Sequence, residues 1–128
     1  MEYLLDTHTF LWFINGDAQL SKNAREAIGN PDTIKFISIA SFWEIAIKVN
    51  LGKLSLDMPY NDLRQQVTDN GFEILPITFS HTAELISLDL HHRDPFDRII
   101  IAQALSERLI LISKDGNFEK YGQLKMLW

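Results

Sequence analysis

Cysteine is absent from this 128-residue sequence, which excludes disulfides and thiolate metal sites. Long apolar runs are also missing, because the stretch at 34–49 is interrupted by Lys35, Glu44 and Lys48 and is too short and too charged to span a bilayer. Residues 1–6 contain no basic region followed by a long apolar segment, so we expect no signal peptide. These absences predict a cytoplasmic protein that is not embedded in a membrane.

Positive charge is scarce, since 12 Lys and Arg residues stand against 17 Asp and Glu residues and give a net charge of −5. The field of the whole protein therefore repels phosphate, and any affinity for nucleic acid has to come from local cations or a bound metal ion. The composition, with 46% hydrophobic and 23% charged residues, is typical of a globular chain. The length, without a linker-like segment or an internal repeat, predicts one domain spanning residues 1–128.

Strand-like and helix-like segments alternate along the chain. Apolar runs predict strands at 3–5, 35–39, 72–75, 109–112 and 124–127. Helical periodicity and cap residues predict helices at 7–14, 21–29, 41–50, 60–69, 97–107 and from Ser80 onward, and Ser41 and Glu44 have the spacing of a capping box. This alternation favours an α/β fold with a central parallel sheet of four or five strands, order 3-2-1-4-5, and helices on both faces.

Four acidic residues fall near the carboxyl ends of predicted strands. Asp6 follows the first strand, Asp115 follows the fourth, Glu44 lies early in the helix after the second, and Asp97 begins the helix that leads into the fourth. All four are therefore expected at the sheet edge where open α/β folds bind ligands. Each also has a structural interpretation of its own: Asp6 as a helix start, Glu44 as a capping-box acid, Asp97 as an N-cap or first-turn acid, and Asp115 as a turn residue.

The convergence of these acids indicates a cation site. Unit charges roughly 5 Å apart repel by about 3 kcal/mol at an effective dielectric constant of 20, so a fold keeps such a cluster only where positive charge enters it. Oxygen ligands favour Mg²⁺ or Mn²⁺ over Zn²⁺. Because Mg²⁺ also binds substrate phosphates, the pattern predicts cleavage of phosphodiester bonds.

Four sequence blocks resemble PIN-domain ribonucleases, and in particular the toxins of the VapC type. They are LLDTH at 4–8, SFWEIAIK at 41–48, RDPFDR at 93–98 running into IAQA at 101–104, and ISKD at 112–115. The resemblance covers essentially the whole chain, with the blocks in the family order. Ser113 is a small departure, because Thr is common there, but both residues carry a hydroxyl.

The resemblance implies a three-layer α/β/α fold and a metal-dependent endoribonuclease that uses Mg²⁺, with Mn²⁺ as a substitute. It implies that Asp6 and Asp97 are the principal metal ligands and that Glu44 and Asp115 complete the catalytic cluster, directly or through water. It also implies an RNA substrate, a homodimer and inhibition by a cognate antitoxin. The RNA that is cut, the residues that bind it and the type of antitoxin remain open.

Other polar residues receive weaker interpretations. Asp94 is interpreted as structural, capping the helix that follows or binding Arg98. The histidines lack the i, i+3 or i, i+4 spacing of a zinc site; they are His8, His81, His91 and His92. Candidate phosphate contacts near the acidic edge are Lys48, Lys53, Arg93, Arg98 and Lys114. The apolar run at 10–13 is partly core, and any exposed remainder would suit a protein interface.

Two competing functions fit parts of the pattern. A phosphoacceptor receiver domain has similar length, topology and a Ser-Lys pair like Ser113-Lys114, but it needs adjacent acids after its first strand, where this sequence provides only Asp6. A catalytically inactive PIN-like module that binds RNA or protein is the second. It gives no reason for retaining four mutually repelling acids.

Overall fold

The computed structural model describes residues 1–91 and 93–128, so the interpretation of His92 lies outside the described residues. The strands within those residues are β1 (Glu2–Leu5), β2 (Ile34–Ser38), β3 (Phe72–Leu75), β4 (Ile110–Ile112) and β5 (Met126–Leu127). The helices are α1 (Thr7–Asn15), α2 (Lys22–Gly29), α3 (Ile39–Asn50), α4 (Leu63–Asp69), α5 (Phe79–Ile86) and α6 (Pro95–Glu107), with 3₁₀ turns at Tyr60–Asp62 and Gly116–Lys120. None of these helices is long and apolar enough to cross a membrane.

The strands form one sheet in the order β3-β2-β1-β4-β5, and every neighbouring pair is parallel. The predicted order 3-2-1-4-5 is therefore confirmed. Leu5 at the end of β1 lies opposite Ile37 of β2 and Ile112 of β4. Because these strand ends are level, the residues that follow β1 and β4 leave the sheet from the same edge.

Helices cover both faces of the sheet, as predicted for a three-layer fold. Leu5 points into a core that is closed by residues of α1, α2, α3 and α4, including the fully buried Phe10 and Ile45. Leu4 points to the opposite core, where α6 packs through Ile100 and α5 through Leu85. Because adjacent strand residues point to opposite faces and helices cover both, the last three residues of β1, Tyr3, Leu4 and Leu5, are all buried rather than alternating between buried and exposed.

Four predicted helix starts were wrong, including that of α6, which begins at Pro95 after its N-cap Asp94 rather than at Asp97. Helix α3 begins at Ile39, because the Ser38 side chain accepts a hydrogen bond from Ala40 N at 3.0 Å and acts as the N-cap. Ser41 is therefore inside the helix, and its spacing to Glu44 does not form a capping box. Helix α5 begins after Thr78 rather than at Ser80, and the segment at 60–69 starts as a 3₁₀ turn that continues into α4.

Sequence spacing was misleading here for two physical reasons. Ile39 is β-branched and apolar, so it is typical of a strand even though it begins a helix. At α5 the capping box is completed by a histidine instead of the usual glutamate or glutamine, since Thr78 N donates to His81 Nδ1 at 3.0 Å.

Candidate active site

Asp6 connects the end of β1 to the start of α1 and is only 7% exposed. Its Oδ1 accepts a hydrogen bond from Thr9 N at 2.9 Å, which makes Asp6 the N-cap of α1. Its Oδ2 accepts from the hydroxyl of Ser113, the first residue after β4. Burial raises the pKa of Asp6, and the hydrogen bonds from Ser113 and Thr9 oppose that rise. The helix-start interpretation of Asp6 is thus correct, and it does not remove Asp6 from the acidic edge.

Glu44 lies in the second turn of α3 and is 4% exposed. Its Oε1 accepts from Thr7 Oγ1 at 2.7 Å, and Thr7 Oγ1 is also 2.9 Å from Ser41 Oγ. Its Oε2 accepts from Lys48 Nζ at 2.7 Å, one helical turn later. The hydrogen bond to Glu44 raises the pKa of Lys48, because it favours the charged ammonium group. Glu44 is therefore a buried carboxylate held from two sides.

Asp94 and Asp97 lie at the start of α6 and have different roles there. Asp94 is the N-cap, since its Oδ1 accepts from Phe96 N at 2.8 Å and from Asp97 N at 3.1 Å. This confirms the prediction that Asp94 caps the helix. Asp97 is half-buried in the first turn, and within residues 1–91 and 93–128 no hydrogen-bond donor reaches its carboxylate.

The electrostatic environment of Asp97 connects it to the other acids. Burial raises the pKa of Asp97 to about 7, and the negative charges of Asp94, Glu44, Asp6 and Asp115 add to the rise in that order. The other three acids singled out in the sequence thus all act on Asp97 at the carboxyl edge of the sheet. An acid with this pKa is half-protonated at neutral pH until positive charge is supplied.

Asp115 begins the 3₁₀ turn after β4, where its Oδ1 accepts from Asn117 N at 2.9 Å. Its own N–H donates to Ser113 Oγ at 3.1 Å, so one hydroxyl contacts both Asp6 and Asp115. Asp115 and Asp6 also line an open cleft of about 260 Å³. The turn interpretation of Asp115 is correct, and the turn places the residue beside Asp6.

The predicted cations divide into three groups. Lys48 pairs with Glu44, and Lys114 lines the same cleft as Asp6 and Asp115. Arg98 instead donates to the carbonyl oxygens of Asp89 at 3.0 Å and Leu88 at 3.3 Å, which ties the preceding loop to α6. Lys53 and Arg93 are exposed.

Sequence reasoning missed the supporting role of two hydroxyl residues. Thr7 donates to Glu44, and Ser113 donates to Asp6. Both are nearly buried, at 6% and 1% exposure, so their hydroxyls are committed to these carboxylates. Only their positions could have indicated this role, since Thr7 follows Asp6 and Ser113 directly follows β4. Hydroxyl residues are too common at such positions for this to be distinctive.

The donor chemistry of the site fits a hard divalent cation. All its anionic side chains present carboxylate oxygens, which suit Mg²⁺ or Mn²⁺. Among the residues that the structure describes, no group of three or more His, Asp or Glu side chains stands in a ready-made ligand geometry. Both oxygens of Asp6 and both oxygens of Glu44 already accept hydrogen bonds from the protein. Such an arrangement suits an ion that keeps several waters and takes one or two carboxylates, as Mg²⁺ does.

The sequence matches the family described as "PIN domain" over residues 3–124. It is 30% identical over 119 residues to a protein named Ribonuclease VapC22 from Mycobacterium tuberculosis (strain ATCC 25618 / H37Rv), and the match covers 92% of this chain and 90% of that protein.

Solved structures with the same fold include chains from two toxin–antitoxin complexes. VapBC2 from Rickettsia felis, bound to a DNA fragment from its promoter, has a chain with a TM-score of 0.74 and 17% identity, covering 99% of this chain and 98% of that one. VapBC-5 from Mycobacterium tuberculosis, a member of the VapBC family of toxin-antitoxin systems, has a TM-score of 0.64 and 20% identity, covering 98% and 97%.

Proposed function

Because this chain belongs to the PIN-domain family, we propose that it is a metal-dependent endoribonuclease that acts as the toxin of a toxin–antitoxin pair. The relative named as a ribonuclease supports the reaction, and the VapBC structures support the toxin role. The observation that carries the proposal is Asp97, a half-buried carboxylate whose pKa is raised to about 7 beside four other acids. A structural acid would be stabilised by donors, whereas Asp97 is placed where only a cation would relieve the repulsion.

Asp6 and Asp97 would hold Mg²⁺ in this proposal, with Glu44 and Asp115 completing the site directly or through water. When bound, Mg²⁺ lowers the pKa of water to supply the nucleophile and stabilises charge that develops on the phosphate. The protein contributes orientation: Ser113 and Thr9 N fix the two oxygens of Asp6. Thr7 and Lys48 do the same for Glu44. Asp97 would give up its proton to bind the cation, so its raised pKa would make metal affinity depend on pH.

A nuclease assay tests this proposal. The wild-type protein should cleave single-stranded or looped RNA in Mg²⁺ or Mn²⁺ and lose this activity in EDTA. Asp6→Asn and Asp97→Asn should each lose at least about 100-fold in rate, because each change removes a charged metal ligand. Asp94→Asn is the matched control, since asparagine is as good an N-cap as aspartate and should retain a substantial part of the activity.

Two outcomes would contradict the assignment in different ways. An equal loss in Asp94→Asn, with folding intact, would mean that the wrong acid of the pair was assigned. Wild-type protein that binds RNA but does not cleave it in either metal would favour the inactive binding module instead.

The proposed antitoxin would bind next to the acidic edge. The apolar run at 10–13 contributes little surface, because Phe10 and Leu11 are buried in the core. A more exposed stripe lies on α3, where Ile39, Trp43 and Ile47 are 42%, 61% and 36% exposed at a spacing of four residues. An amphipathic antitoxin segment would cover this stripe and extend a cationic side chain to the acids, which accept positive charge.

Co-expression with the neighbouring small open reading frame tests the partner. The neighbour should abolish toxicity and co-purify with this protein, and Trp43→Ser should weaken the complex while leaving RNA cleavage close to that of the wild type. Undiminished toxicity with a soluble, unbound neighbour would reject the partner. We also propose a homodimer, which a sedimentation measurement on the isolated protein would test.

A further inference from the structure

The cleft beside Asp6 and Asp115 contains three groups that the proposed hydrolysis does not use. Its remaining lining residues are His8, Trp12 and Lys114, and we call this space the Trp12 cleft. His8 and Lys114 are exposed, whereas Trp12 is half-buried. The cleft therefore joins an aromatic ring and two basic side chains directly to the candidate active site.

The ring of Trp12 is held in place from one side. Trp128 packs edge-on against it, with ring centroids 5.9 Å apart and an interplanar angle of 63°. Lys114 Nζ lies 5.8 Å from the Trp12 ring centroid, and the His8 ring is 5.9 Å away at an angle of 40°. Because His8 and Lys114 are exposed side chains, both can move aside for a ligand, while the Trp128 contact fixes the indole.

Neighbouring aromatic residues show that Trp12 is unusual within its own helix. Phe10 is fully buried, and Phe13 packs edge-on against Phe72 with ring centroids 5.7 Å apart. Both are explained by the core between α1 and the sheet. Trp12 is the member of this run that lines the cleft next to the acids.

We propose that the Trp12 cleft binds one nucleobase of single-stranded RNA, adjacent to the phosphate that is cleaved, and that Lys114 contacts a phosphate of the same strand. This inference rests on the proposed ribonuclease function and specifies how its substrate is held. A base stacked on an aromatic side chain gains affinity regardless of the protein's net charge. That matters here, because a net charge of −5 and an acidic site both oppose the binding of phosphate.

Binding can be tested separately from cleavage in the Asp97→Asn background, with Mg²⁺ present. The probes are a short oligouridylate and an abasic oligomer with the same number of phosphates, each labelled for fluorescence anisotropy. The oligouridylate should bind about 5- to 150-fold more tightly than the abasic oligomer, as expected for one stacked base. Trp12→Leu keeps apolar bulk against Trp128 but should remove this preference, and Trp12→Phe should retain part of it.

Lysine variants provide a second readout. Lys114→Gln should reduce the dependence of log affinity on log salt concentration by about one unit, as expected for one lost phosphate contact. Lys125→Gln is the matched control, because Lys125 precedes β5 at the opposite, amino-terminal edge of the sheet, and it should leave this slope unchanged.

The outcomes separate this inference from the proposed function. Wild-type protein that cleaves RNA, combined with a Trp12→Leu variant that still prefers the oligouridylate, would overturn the Trp12 cleft alone. Wild-type protein that cleaves no RNA would overturn the function. If Trp12→Leu does not fold, as judged by circular dichroism, then an unreduced base preference in Trp12→Phe together with an unchanged salt slope in Lys114→Gln would reject the inference.

Discussion

The fold buries charge at both ends of its central strands, and the two ends differ in how that charge is satisfied. Near the start of β2, Lys35 is 6% exposed, and its Nζ donates to the carbonyl oxygens of Ile28 at 2.7 Å and Asn70 at 3.1 Å. The same ammonium lies 5.4 Å from the Phe72 ring centroid. Burial lowers the pKa of Lys35, but each of these contacts favours a cation.

At the carboxyl edge of the sheet, the charge of Asp97 is not satisfied in this way. Its half-buried carboxylate receives no hydrogen bond from the described residues, and its neighbours Asp94, Glu44, Asp6 and Asp115 all repel it. The protein itself supplies the partners of the buried Lys35 ammonium. The Asp97 carboxylate, in contrast, needs a bound cation to offset the repulsion from its neighbours. This difference distinguishes a buried charge that stabilises the fold from one that the fold keeps for a ligand.

The largest effect on stability should come from removing the buried Lys35 ammonium. Lys35→Met keeps the apolar stem but leaves the Ile28 and Asn70 carbonyls without their donor, so we expect a loss of about 2–4 kcal/mol in the free energy of unfolding. Urea unfolding measures this loss. Nuclease activity per folded molecule should be unchanged. A variant as stable as the wild type would show that the contacts of Lys35 with these carbonyls do not stabilise the fold.

A smaller effect should appear as a pH dependence of the metal-free wild type. The pKa of Asp97 is about 7 in the folded state and near 4 in the unfolded chain. The folded state therefore holds this proton more tightly, so the penalty is absent below about pH 4, grows between pH 4 and 7, and is complete above pH 7. Because Asp97 keeps some solvent contact that screens the repulsion, we expect a total cost of about 1–2 kcal/mol.

Asp97→Asn is the control for that pH dependence. Thermal melts in EDTA from pH 4 to 8 should show a smaller decline in stability for the variant than for the wild type, because only the remaining acids still titrate. Parallel curves for the two proteins would mean that Asp97 does not titrate in this range, and the raised pKa would be wrong.

The smallest effects should come from Asp94, where capping and repulsion can be separated. Asp94→Ala removes the cap of α6 and should cost about 1 kcal/mol in the free energy of unfolding. Asp94→Asn retains the cap and removes one charge near Asp97, so its stability should change little while the pKa of Asp97 falls. Thermal melts and an NMR titration of the Asp97 carboxyl carbon measure the two effects. An unchanged Asp97 titration in Asp94→Asn would contradict the repulsion between these residues.

Much of the fold could be predicted from sequence because its signals are local and repeated. Alternating strands and helices give the parallel sheet, and level strand ends bring the predicted acids to one edge. The start of α3 could not be predicted this way, because Ile39 has strand-like chemistry and Ser41 has cap-like spacing. The serine that caps α3 is Ser38, and Ser41 lies inside the helix, where its hydroxyl contacts Thr7, 34 positions away.

The supporting groups of the candidate site were not predictable for a related reason. Ser113 reaches Asp6 across 107 positions of sequence, and Thr7 reaches Glu44 across 37. No periodicity or spacing encodes such contacts, which depend on the strand register. The acids themselves were identifiable because burying carboxylates at strand ends raises the free energy of the folded state unless a partner offsets the charge. Burying a hydroxyl there costs little.

We infer that a bound cation offsets the repulsion at Asp97. Thermal melts of the wild type and of Asp97→Asn, in EDTA and in millimolar Mg²⁺ at low salt and pH 7.5, test this most directly. In EDTA the variant should melt a few degrees higher, because relief of repulsion exceeds the roughly 0.3–1 kcal/mol that a first-turn acid gains from the helix dipole. Mg²⁺ should raise the wild-type midpoint, and this rise should shrink or vanish in the variant. A variant that melts lower than wild type in EDTA and still responds fully to Mg²⁺ would show that Asp97 is a structural helix-start acid and not part of a cation site.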